Sequence, residues 1–363
     1  MSQKGSKYFS IMGRGLVPVL AATLILLVVV STIQDLSIVL NGSYGLHTFK
    51  AKIVSNENVI EDILFSSSQP PPGRSIFFHE TTCTHPDSHF NIMNLTARQA
   101  CAIESAALNN PNLQVFTLFS CPTFRPLFGR QKLLVDAIES YKNVNFCHLS
   151  VRNYAKGTLI EDWLRKGDLF SSRFPMQHLS DLLRLISLYR FGGIYLDLDV
   201  VVLRSLEKLP LNYVGAYDNI TLGNAVISLA PDGMGHEVAE LFLQHYQKYF
   251  NGENYVQNGP TLETTVLTQF CGNNLVKAMQ DGRKSCKGFR IFNSTAFYSI
   301  PWTHFTEPKY LEETMARTKD SFLVHIWNTA SSVGRVEVGS NSAYEKYAEK
   351  HCPRTYVAAG DYI

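Results

Sequence analysis

Two aspartates, Asp197 and Asp199, close an apolar run within the segment Phe191–Leu203 and are separated by a single residue. Residues two apart on a β-strand point to the same face, so the pattern predicts two carboxylates side by side. Such a pair repels itself unless a cation lies between the charges, and Mg²⁺ and Mn²⁺ prefer carboxylate oxygens and often share them with phosphates. The spacing therefore predicts a metal–diphosphate site, although Asp-x-Asp by itself is a short and unspecific pattern.

A helix and two glycines precede this acid pair and strengthen the prediction. Pro175 suits the first turn of a helix, apolar residues recur behind it at helical spacing, and Gly192 and Gly193 end it. A strand over Ile194–Leu203 would then carry the two acids. Ligands of open α/β sheets bind beyond the carboxyl ends of strands, which is where this order of elements puts the pair.

The wider pattern is an alternation of strands and helices. The first helix is predicted over Thr96–Leu108 with Thr96 as its N-cap, and strands are predicted at Ser75–Phe78, Val115–Phe119 and Val144–Leu149. This alternation predicts an α/β domain with a mixed, mostly parallel sheet. Further along the chain, the sequence predicts a strand over Asn224–Leu229, a helix over Glu237–Phe250 and a late strand over Phe322–Asn328.

The N-terminus predicts a membrane anchor. Residues 15–34 contain no charged side chain, and about 20 apolar residues suffice to cross a bilayer. Lys4, Lys7 and Arg14 precede the segment, so residues 1–14 are predicted to be a cytoplasmic tail and the rest of the chain luminal. A cleaved signal peptide is the alternative. Residues 35–74, which end in three prolines and a glycine, are predicted to be a stem, and residues 75–363 a luminal domain.

Other features of the sequence fit a luminal location. The chain has seven cysteines without Cys-x-x-Cys spacing, which favours an oxidising compartment over a structural zinc. The odd count leaves one cysteine free or intermolecular; Cys271 and Cys286, which bracket a short loop, are the preferred pair, and mere proximity in sequence is the alternative. The formal charge of +2 with scattered Lys and Arg argues against a nucleic-acid surface. Four glycosylation sequons occur, at Asn41, Asn94, Asn219 and Asn293.

The segment Tyr189–Leu206 resembles the Asp-x-Asp sugar-binding region of the retaining α-1,4-glycosyltransferases. This family includes galactosyltransferases that make globotriaosylceramide and related N-acetylglucosaminyltransferases. The resemblance runs from about Ile76 to the C-terminus and includes the motifs Ser180–Arg184, Arg98–Ala107, Asn258–Pro260 and Val324–Asn328. It implies a GT-A-like nucleotide-sugar-binding domain, held by a single-pass type II anchor in the Golgi membrane.

The resemblance also implies roles for individual residues. Asp199 would bind Mn²⁺ or Mg²⁺, Asp197 would contact the ribose or sugar of a uridine-diphosphate (UDP) donor, and Arg184 would complete the catalytic set at the diphosphate. His325 or Asn328 would complete the metal or diphosphate site. The implied donor-binding residues are Ser180, Asp181, Arg184, Gly193, Tyr195, Asp197, Asn224 and Gly259.

Structural readings of the same residues stay open at this point. Asp181 and Arg184 are spaced as a surface ion pair on a helix, and a histidine on an apolar strand, such as His325, is more often packed in a core. Trp302 and Trp327 are either core aromatics or rings beside a bound sugar or uracil. Asn224 is equally compatible with a structural role in a turn.

The implied reaction moves galactose or N-acetylgalactosamine from a UDP-sugar, in α-1,4 linkage and with retention, to a glycosphingolipid. Since the sequence shows no obvious nucleophile, front-face attack is favoured over a covalent intermediate. One alternative is N-acetylglucosamine transfer to glycoproteins. Another is a haloacid-dehalogenase-type phosphatase, whose later Gly-Asp motif would fall at Gly360-Asp361, too near the C-terminus. A non-catalytic glycan-binding scaffold is the third, and assembly into a homo-oligomer is left open.

Overall fold

The computed structural model describes residues 59–82, 91–273, 275–280, 286–331 and 334–363. Of these, the residues from Ile60 onward form one compact unit, and the site lies within it. The predicted cytoplasmic tail, anchor and most of the stem lie outside the described residues, as does the sequon at Asn41. Within the described ranges, no helix is both long enough and apolar enough to cross a membrane.

A seven-stranded sheet is the centre of this unit. The strands of the chain are β1 (Ser75–Glu80), β2 (Asn91–Ile92), β3 (Gln114–Phe119), β4 (Thr123–Phe124), β5 (Val144–His148), β6 (Gly193–Leu196), β7 (Val200–Val202), β8 (Tyr213–Ala216), β9 (Leu222–Leu229), β10 (Arg290–Phe292) and β11 (Leu323–His325). The large sheet has the order β10-β8-β9-β6-β1-β3-β5, with β9 antiparallel to both neighbours and the other pairs parallel. The predicted mixed, mostly parallel sheet is confirmed.

Helices cover both faces of the sheet. They are α1 (Ala97–Asn109), α2 (Gly129–Glu139), α3 (Val151–Ala155), α4 (Glu161–Lys166), α5 (Pro175–Phe191), α6 (Gly233–Tyr249), α7 (Leu262–Cys271), α8 (Val276–Met279), α9 (Ser294–Phe297), α10 (Leu311–Thr318), α11 (Asn328–Ser331), α12 (Ala343–His351) and α13 (Pro353–Ala358). Alternate residues of β1 enter opposite cores: Ile76 and Phe78 pack with α1, whereas Phe77 packs with α5. This two-sided burial explains why the central strands are apolar throughout.

The folded unit begins earlier than the sequence indicated. Ile60 and Ile63 are buried, and the Ile63 N–H donates to the carbonyl oxygen of His148 at 2.9 Å. Asp62 also forms a bridge with His148 at the end of β5. Residues 60–74 are therefore packed against the sheet, although their proline-rich end resembled a linker.

The strand predicted over Ile194–Leu203 is two strands that belong to two sheets. β6 pairs with β1 and β9, whereas β7 pairs antiparallel with β11, and the residues between them form a turn. Asp197 and Asp199 lie in that turn, so the strand-face argument for their proximity is wrong. The late strand is also shorter than predicted, since β11 ends at His325.

Disulfides connect distant parts of the unit. The predicted Cys271–Cys286 bond is confirmed, and a second bond joins Cys101 on α1 to Cys352 between α12 and α13. Cys147 is a free, buried cysteine, and burial raises the pKa of its thiol to about 11, so it is unreactive. The side chains of three sequon asparagines are exposed, at Asn94, Asn219 and Asn293.

Candidate active site

The acid pair meets a histidine from the far end of the chain. β7 begins directly after Asp199, and its pairing with β11 puts His325 opposite Val200. The His325 Nε2 lies 3.0 Å from Asp199 Oδ1 and 3.8 Å from Asp197 Oδ2. One ligand atom from each of these three residues lies within 4.8 Å of the others. The structure thus places His325 in a polar cluster, not in an apolar core.

The segment after His325 wraps around Asp199. The Ile326 N–H donates to the Asp199 carbonyl oxygen at 3.0 Å, and the Asn328 N–H donates to Asp199 Oδ2 at 2.9 Å. Trp327 between them has φ of +55°, a conformation that is unusual for a bulky side chain. Backbone conformations of this kind concentrate at functional sites. The one at Trp327 allows the N–H groups on either side of it, those of Ile326 and Asn328, both to donate to Asp199.

Arg184 lies beneath the acid pair with its side chain almost completely buried. Its Nη1 is 3.1 Å from Asp197 Oδ1 and donates to the Asn224 carbonyl oxygen at 2.6 Å. Its Nε and Nη2 donate to the carbonyl and hydroxyl oxygens of Ser180, and Nη2 is also 3.5 Å from Asp181 Oδ1. These contacts involve all three nitrogens of the guanidinium. Arg184 therefore holds Asp197 in place, and its direct contact with a diphosphate stays a prediction.

The charges of the cluster stabilise one another. Burial opposes ionisation of Asp197, but the adjacent Arg184 guanidinium and the hydrogen bond from His325 outweigh it and lower the Asp197 pKa to about 2. Burial likewise opposes protonation of His325, yet the charge of Asp199 and hydrogen bonds to both aspartates raise its pKa to about 9. Without a metal, two carboxylates are thus balanced by one guanidinium and one imidazolium.

Tyr195 supports the cluster from the side of β6. Its hydroxyl donates to Asp197 Oδ1 at 2.6 Å, and its ring lies 4.3 Å from the guanidinium carbon of Arg184. Both side chains are buried. Tyr195 therefore orients Asp197 and stacks with Arg184, and the donor contact implied for it stays a prediction. The Ser180 hydroxyl, half-buried and bonded to Arg184, serves the same scaffold.

A second polar group lies beside Arg184. Asn224 Nδ2 donates to Asp181 Oδ1 at 2.9 Å, and a Cβ added to Gly259 would approach Asp181 Oδ1 to 2.7 Å and Asn224 Nδ2 still more closely. Burial raises the pKa of Asp181 to about 7, against the opposing effect of Arg184. Asp181, Asn224 and Gly259, three of the predicted donor residues, therefore do meet, and the close contact leaves room only for glycine at position 259. The Asp181–Arg184 pair is buried and not a surface pair.

Two of the implied site residues also have structural roles. Gly193 begins β6 about 13 Å along the strand from Asp197, with φ of +95° and no room for a Cβ beside the Ser75 carbonyl, so it allows the close approach of β6 to β1. Asn328 supports Asp199 through its backbone N–H, while its side-chain Oδ1 accepts from Arg98 Nη1 at 3.2 Å. The donor contact of Gly193 and the metal contact of Asn328 stay predictions.

Several residues of the site carried no assigned role in the sequence. Glu263 on α7 is 1 % exposed, neither carboxyl oxygen has a hydrogen-bond partner among the described residues, and burial raises its pKa well above the usual range. The sequence does contain a signal for Glu263. It shares one face of a helix with Val266 and Leu267, and an acid on such an apolar face is unusual. The Tyr298 hydroxyl accepts from the Ala225 N–H at 3.0 Å, and its ring lies against Gly223. No local sequence pattern predicts this contact.

The donor set of the cluster fits a divalent metal. Two carboxylate oxygens and one imidazole nitrogen suit Mn²⁺ better than Ca²⁺ or Cu⁺. The pairing of β7 with β11 and the contact of Arg184 with Asp197 preorganise the three residues. Asp197, Asp199 and His325 are the residues that would hold it. Because His325 must lose its proton to become a ligand, binding would release a proton at neutral pH.

Two conserved regions match the chain. The "glycosyltransferase sugar-binding region containing DXD motif" matches residues 96–216, which include the acid pair, and the "alpha 1,4-glycosyltransferase conserved region" matches residues 231–359, which include His325. Together they cover more than half of the chain. The chain belongs to the α-1,4-glycosyltransferase family. The family assignment made from the motifs and the enzyme class, a hexosyltransferase, are thereby confirmed.

Curated members of the family are similar over most of their length. Lactosylceramide 4-alpha-galactosyltransferase of Homo sapiens is 27% identical over 304 residues, covering 82% of this chain and 80% of the relative. The Gorilla gorilla gorilla protein of that name is 28% identical, covering 82% and 86%. Alpha-1,4-N-acetylglucosaminyltransferase of Homo sapiens is 24% identical, covering 71% and 74%.

Solved structures are more distant from this α-1,4-glycosyltransferase. Galactosyltransferase LgtC in complex with donor and acceptor sugar analogs has 13% identity and a TM-score of 0.40, covering 77% of this chain and 95% of that one. PaToxG glycosyltransferase has 18% identity and a TM-score of 0.38, covering 55% and 70%.

Proposed function

We propose that this chain transfers galactose or N-acetylgalactosamine from a UDP-sugar, in α-1,4 linkage, to a glycosphingolipid acceptor, with retention at the anomeric carbon. The observation that carries the proposal is the Asp197–Asp199–His325 cluster at the carboxyl end of β6, with Arg184 buried beneath it. A cluster of this composition and charge is suited to a divalent cation and a diphosphate.

The residues of the site have separate roles. Asp197, Asp199 and His325 would hold Mn²⁺ or Mg²⁺, and the chemistry that such an ion supplies is neutralisation of the charge developing on the leaving diphosphate. Arg184 and Tyr195 keep Asp197 ionised and oriented. Preorganised charges of this kind do not have to reorganise during the reaction, which is the main source of electrostatic catalysis.

The donor sugar would lie beside Asp181, Asn224 and Gly259. Asp181 and Asn224 are already bonded to each other, so their remaining donors and acceptors are held in fixed directions for sugar hydroxyls. Fixed polar groups of this kind distinguish substrates well only when a wrong substrate leaves them unpaired. The choice between galactose and N-acetylgalactosamine would therefore depend on whether Asp181 and Asn224 find hydrogen-bond partners on the bound sugar.

Retention is proposed to proceed by front-face attack. Asp181 and Glu263, two buried carboxyl groups near Arg184, both have raised pKa values and are poor nucleophiles while protonated. In the proposed step, the acceptor hydroxyl oxygen forms a bond to the anomeric carbon as the bond from that carbon to the diphosphate oxygen breaks. The proton of the acceptor hydroxyl passes to the leaving diphosphate.

The alternative function is α-1,4 transfer of N-acetylglucosamine to glycoprotein glycans, which is suggested by the relative of that name. The two proposals differ in donor and acceptor and share the metal cluster. In either case we propose that the enzyme is a single-pass type II protein of the Golgi membrane. The apolar, uncharged segment at residues 15–34 supports this location.

The decisive experiment is a substrate panel with the full-length protein in detergent. UDP-galactose, UDP-N-acetylgalactosamine and UDP-N-acetylglucosamine would each be tested with Mn²⁺ and with lactosylceramide, an arthro-type glycolipid and a mucin-type O-glycan. We expect an α-1,4-linked product from a glycolipid and one of the first two donors. A β-linked product would overturn the retaining mechanism, and transfer of N-acetylglucosamine to the O-glycan would establish the alternative.

A further inference from the structure

A row of aromatic rings leads from the metal-binding cluster to the surface. The His325 ring lies 4.1 Å from the Trp327 ring, centroid to centroid, and Trp327 lies 5.5 Å from Trp302 in an edge-to-face contact. Tyr217 and Tyr298 flank this row, each within 6.2 Å of Trp327. Only two ring contacts therefore separate the histidine of the cluster from Trp302.

The two tryptophans of this row differ in how they are held. Trp327 is half-buried, and its indole Nε1–H donates to the Ile300 carbonyl oxygen at 2.8 Å. Trp302 is 41% exposed, on a short helical turn that begins directly after Pro301. The Trp302 backbone N–H donates to the Tyr217 hydroxyl at 3.3 Å, which fixes the position of the turn relative to the row.

The exposed face of Trp302 is a fixed apolar surface two ring contacts from His325. Tryptophan is the largest apolar side chain, and covering its exposed ring with a ligand would contribute a favourable free energy of burial. Polar side chains lie next to it on the same turn, since Thr303 and His304 are exposed and bonded to each other at 3.2 Å. A flat apolar face with a hydroxyl and an imidazole on the same exposed turn offers the chemistry that binds a hexose, which has one C–H-rich face and a rim of hydroxyls.

We propose that Trp302 is the acceptor platform: its indole stacks on the apolar face of the terminal β-galactoside or β-N-acetylgalactosaminide of the acceptor. This inference rests on the proposed transferase function and adds the site and chemistry of acceptor recognition. Thr303 and His304 supply hydrogen bonds at the edge of the sugar. Trp327, fixed between Trp302 and His325, sets the distance from the platform to the metal-binding cluster.

The arrangement of the cluster favours the acceptor over the donor as the ligand of Trp302. Arg184 connects Asp197 to Asp181, which lies beside Asn224 and Gly259. His325 connects Asp197 to Asp199 and contacts the aromatic row. The residues of the donor side and the aromatic row therefore contact the acid pair through different side chains. A donor sugar beside Asp181 and Asn224 and an acceptor on Trp302 would meet at the acid pair.

The test compares substitutions of Trp302 in the full-length protein. Trp302→Phe keeps a flat ring, Trp302→Leu keeps apolar bulk without a π face, and Trp302→Ala removes both. With octyl β-lactoside as the soluble acceptor probe, we expect the acceptor KM to rise on the order of tenfold or more in the Leu and Ala variants, and much less in the Phe variant. The KM for the UDP-sugar and the rate of donor hydrolysis without acceptor should stay within about twofold of wild type, because neither involves the platform.

Direct binding gives a second readout. The chain has three tryptophans, of which Trp163 is buried and Trp302 the most exposed. Titration with octyl β-lactoside should change the tryptophan emission of the wild type. That change should be lost in Trp302→Phe, although this variant still transfers sugar. Phe65→Ala, which truncates a ring that is 82% exposed in the segment beside β5, is the matched control and should behave as wild type.

The outcomes separate this inference from the proposed function. If the wild type transfers sugar and Trp302→Leu leaves the acceptor KM unchanged, or raises the donor KM instead, the acceptor platform is refuted while the transferase function stands. If the wild type transfers no sugar and octyl β-lactoside leaves its emission unchanged, both fail. Melting curves of each variant show whether a kinetic effect reflects loss of the fold.

Discussion

The backbone N–H of Asn328 donates to Asp199 Oδ2 at 2.9 Å, although 129 residues separate the two in the chain. The side chain of Asn328 is held in turn by Arg98, whose guanidinium also donates to Ser331 Oγ and to the Gly334 carbonyl oxygen. Arg98 on α1 therefore fixes the short helix α11 that covers one aspartate of the metal-binding cluster. Outer contacts of this kind orient metal ligands and tune their affinity.

We predict that Arg98→Lys weakens metal binding without removing the fold. A lysine ammonium cannot reach three acceptors in the fixed geometry of a guanidinium, so Asn328 and Asp199 lose their alignment. The Mn²⁺ concentration for half-maximal activity should rise about tenfold. Arg74→Ala, which removes one exposed arginine bond to the Asn112 carbonyl, is the control and should leave that concentration unchanged. Equal Mn²⁺ dependence in wild type and Arg98→Lys would contradict this role.

The acid pair gives a second prediction. Asp199→Asn should reduce transfer by a factor of about one hundred or more, because a neutral amide is a poor ligand for a hard cation. The protein should still fold, since the amide oxygen still accepts from the Asn328 N–H, but loss of the ion pair with His325 should lower its melting temperature. Asp136→Asn, at an exposed ion pair with Lys132, serves as the control. Full activity of Asp199→Asn, or undiminished wild-type activity after chelation, would remove the basis of the metal site.

Gly259, which lies against Asp181 and Asn224, gives a third prediction. Gly259→Ala would place a methyl group against Asp181 and Asn224, which must then separate. We expect the donor KM to rise at least tenfold, with a smaller effect on the acceptor KM. Val256→Ala, at a 47% exposed side chain just before the same turn, should have donor kinetics like those of the wild type. Unchanged donor kinetics in Gly259→Ala would mean that the donor does not bind beside Asp181 and Asn224.

The raised pKa of Asp181 predicts how stability depends on pH. Its folded-state pKa is about 7, against an ordinary value of 3.8, so the folded protein keeps a proton that the unfolded chain loses between these pH values. The contribution of Asp181 to stability is complete below pH 4 and declines as the pH rises to about 7. Denaturant unfolding of metal-free wild type and Asp181→Asn should show the stability of the variant, relative to wild type, increasing across that window. A difference that is constant with pH would refute the shift.

The proposed topology predicts glycosylation. The side chains of Asn94, Asn219 and Asn293 are exposed, so the fold leaves these sequons accessible to a luminal glycosylation enzyme. Treatment of the membrane-expressed protein with an endoglycosidase should increase its mobility on a gel, and single Asn→Gln variants should identify the occupied sites. Unchanged mobility after treatment would contradict a luminal domain.

Local patterns were sufficient for most of the secondary structure. The helix Pro175–Phe191, its N-terminal proline and its glycine end were all read from the sequence, because helical spacing and terminal signals lie within a few residues of one another. The same holds for the Thr96 cap, which forms a capping box with Gln99. Errors arose where an apolar run was continuous: Ile194–Leu203 has no local mark to show that the chain leaves one sheet and enters another.

The sequence by itself determined the residue types of the site: an acid pair after an apolar strand, a helix carrying Asp181 and Arg184, and a late histidine. Only the tertiary structure decided their roles. The pairing of β7 with β11 brings His325 to the acids, and burial turns Arg184 from a free cation into the support of Asp197. The physical reason is that periodicity and capping depend on neighbours in the chain, whereas strand register, burial and charge balance depend on residues that the fold brings together from different elements.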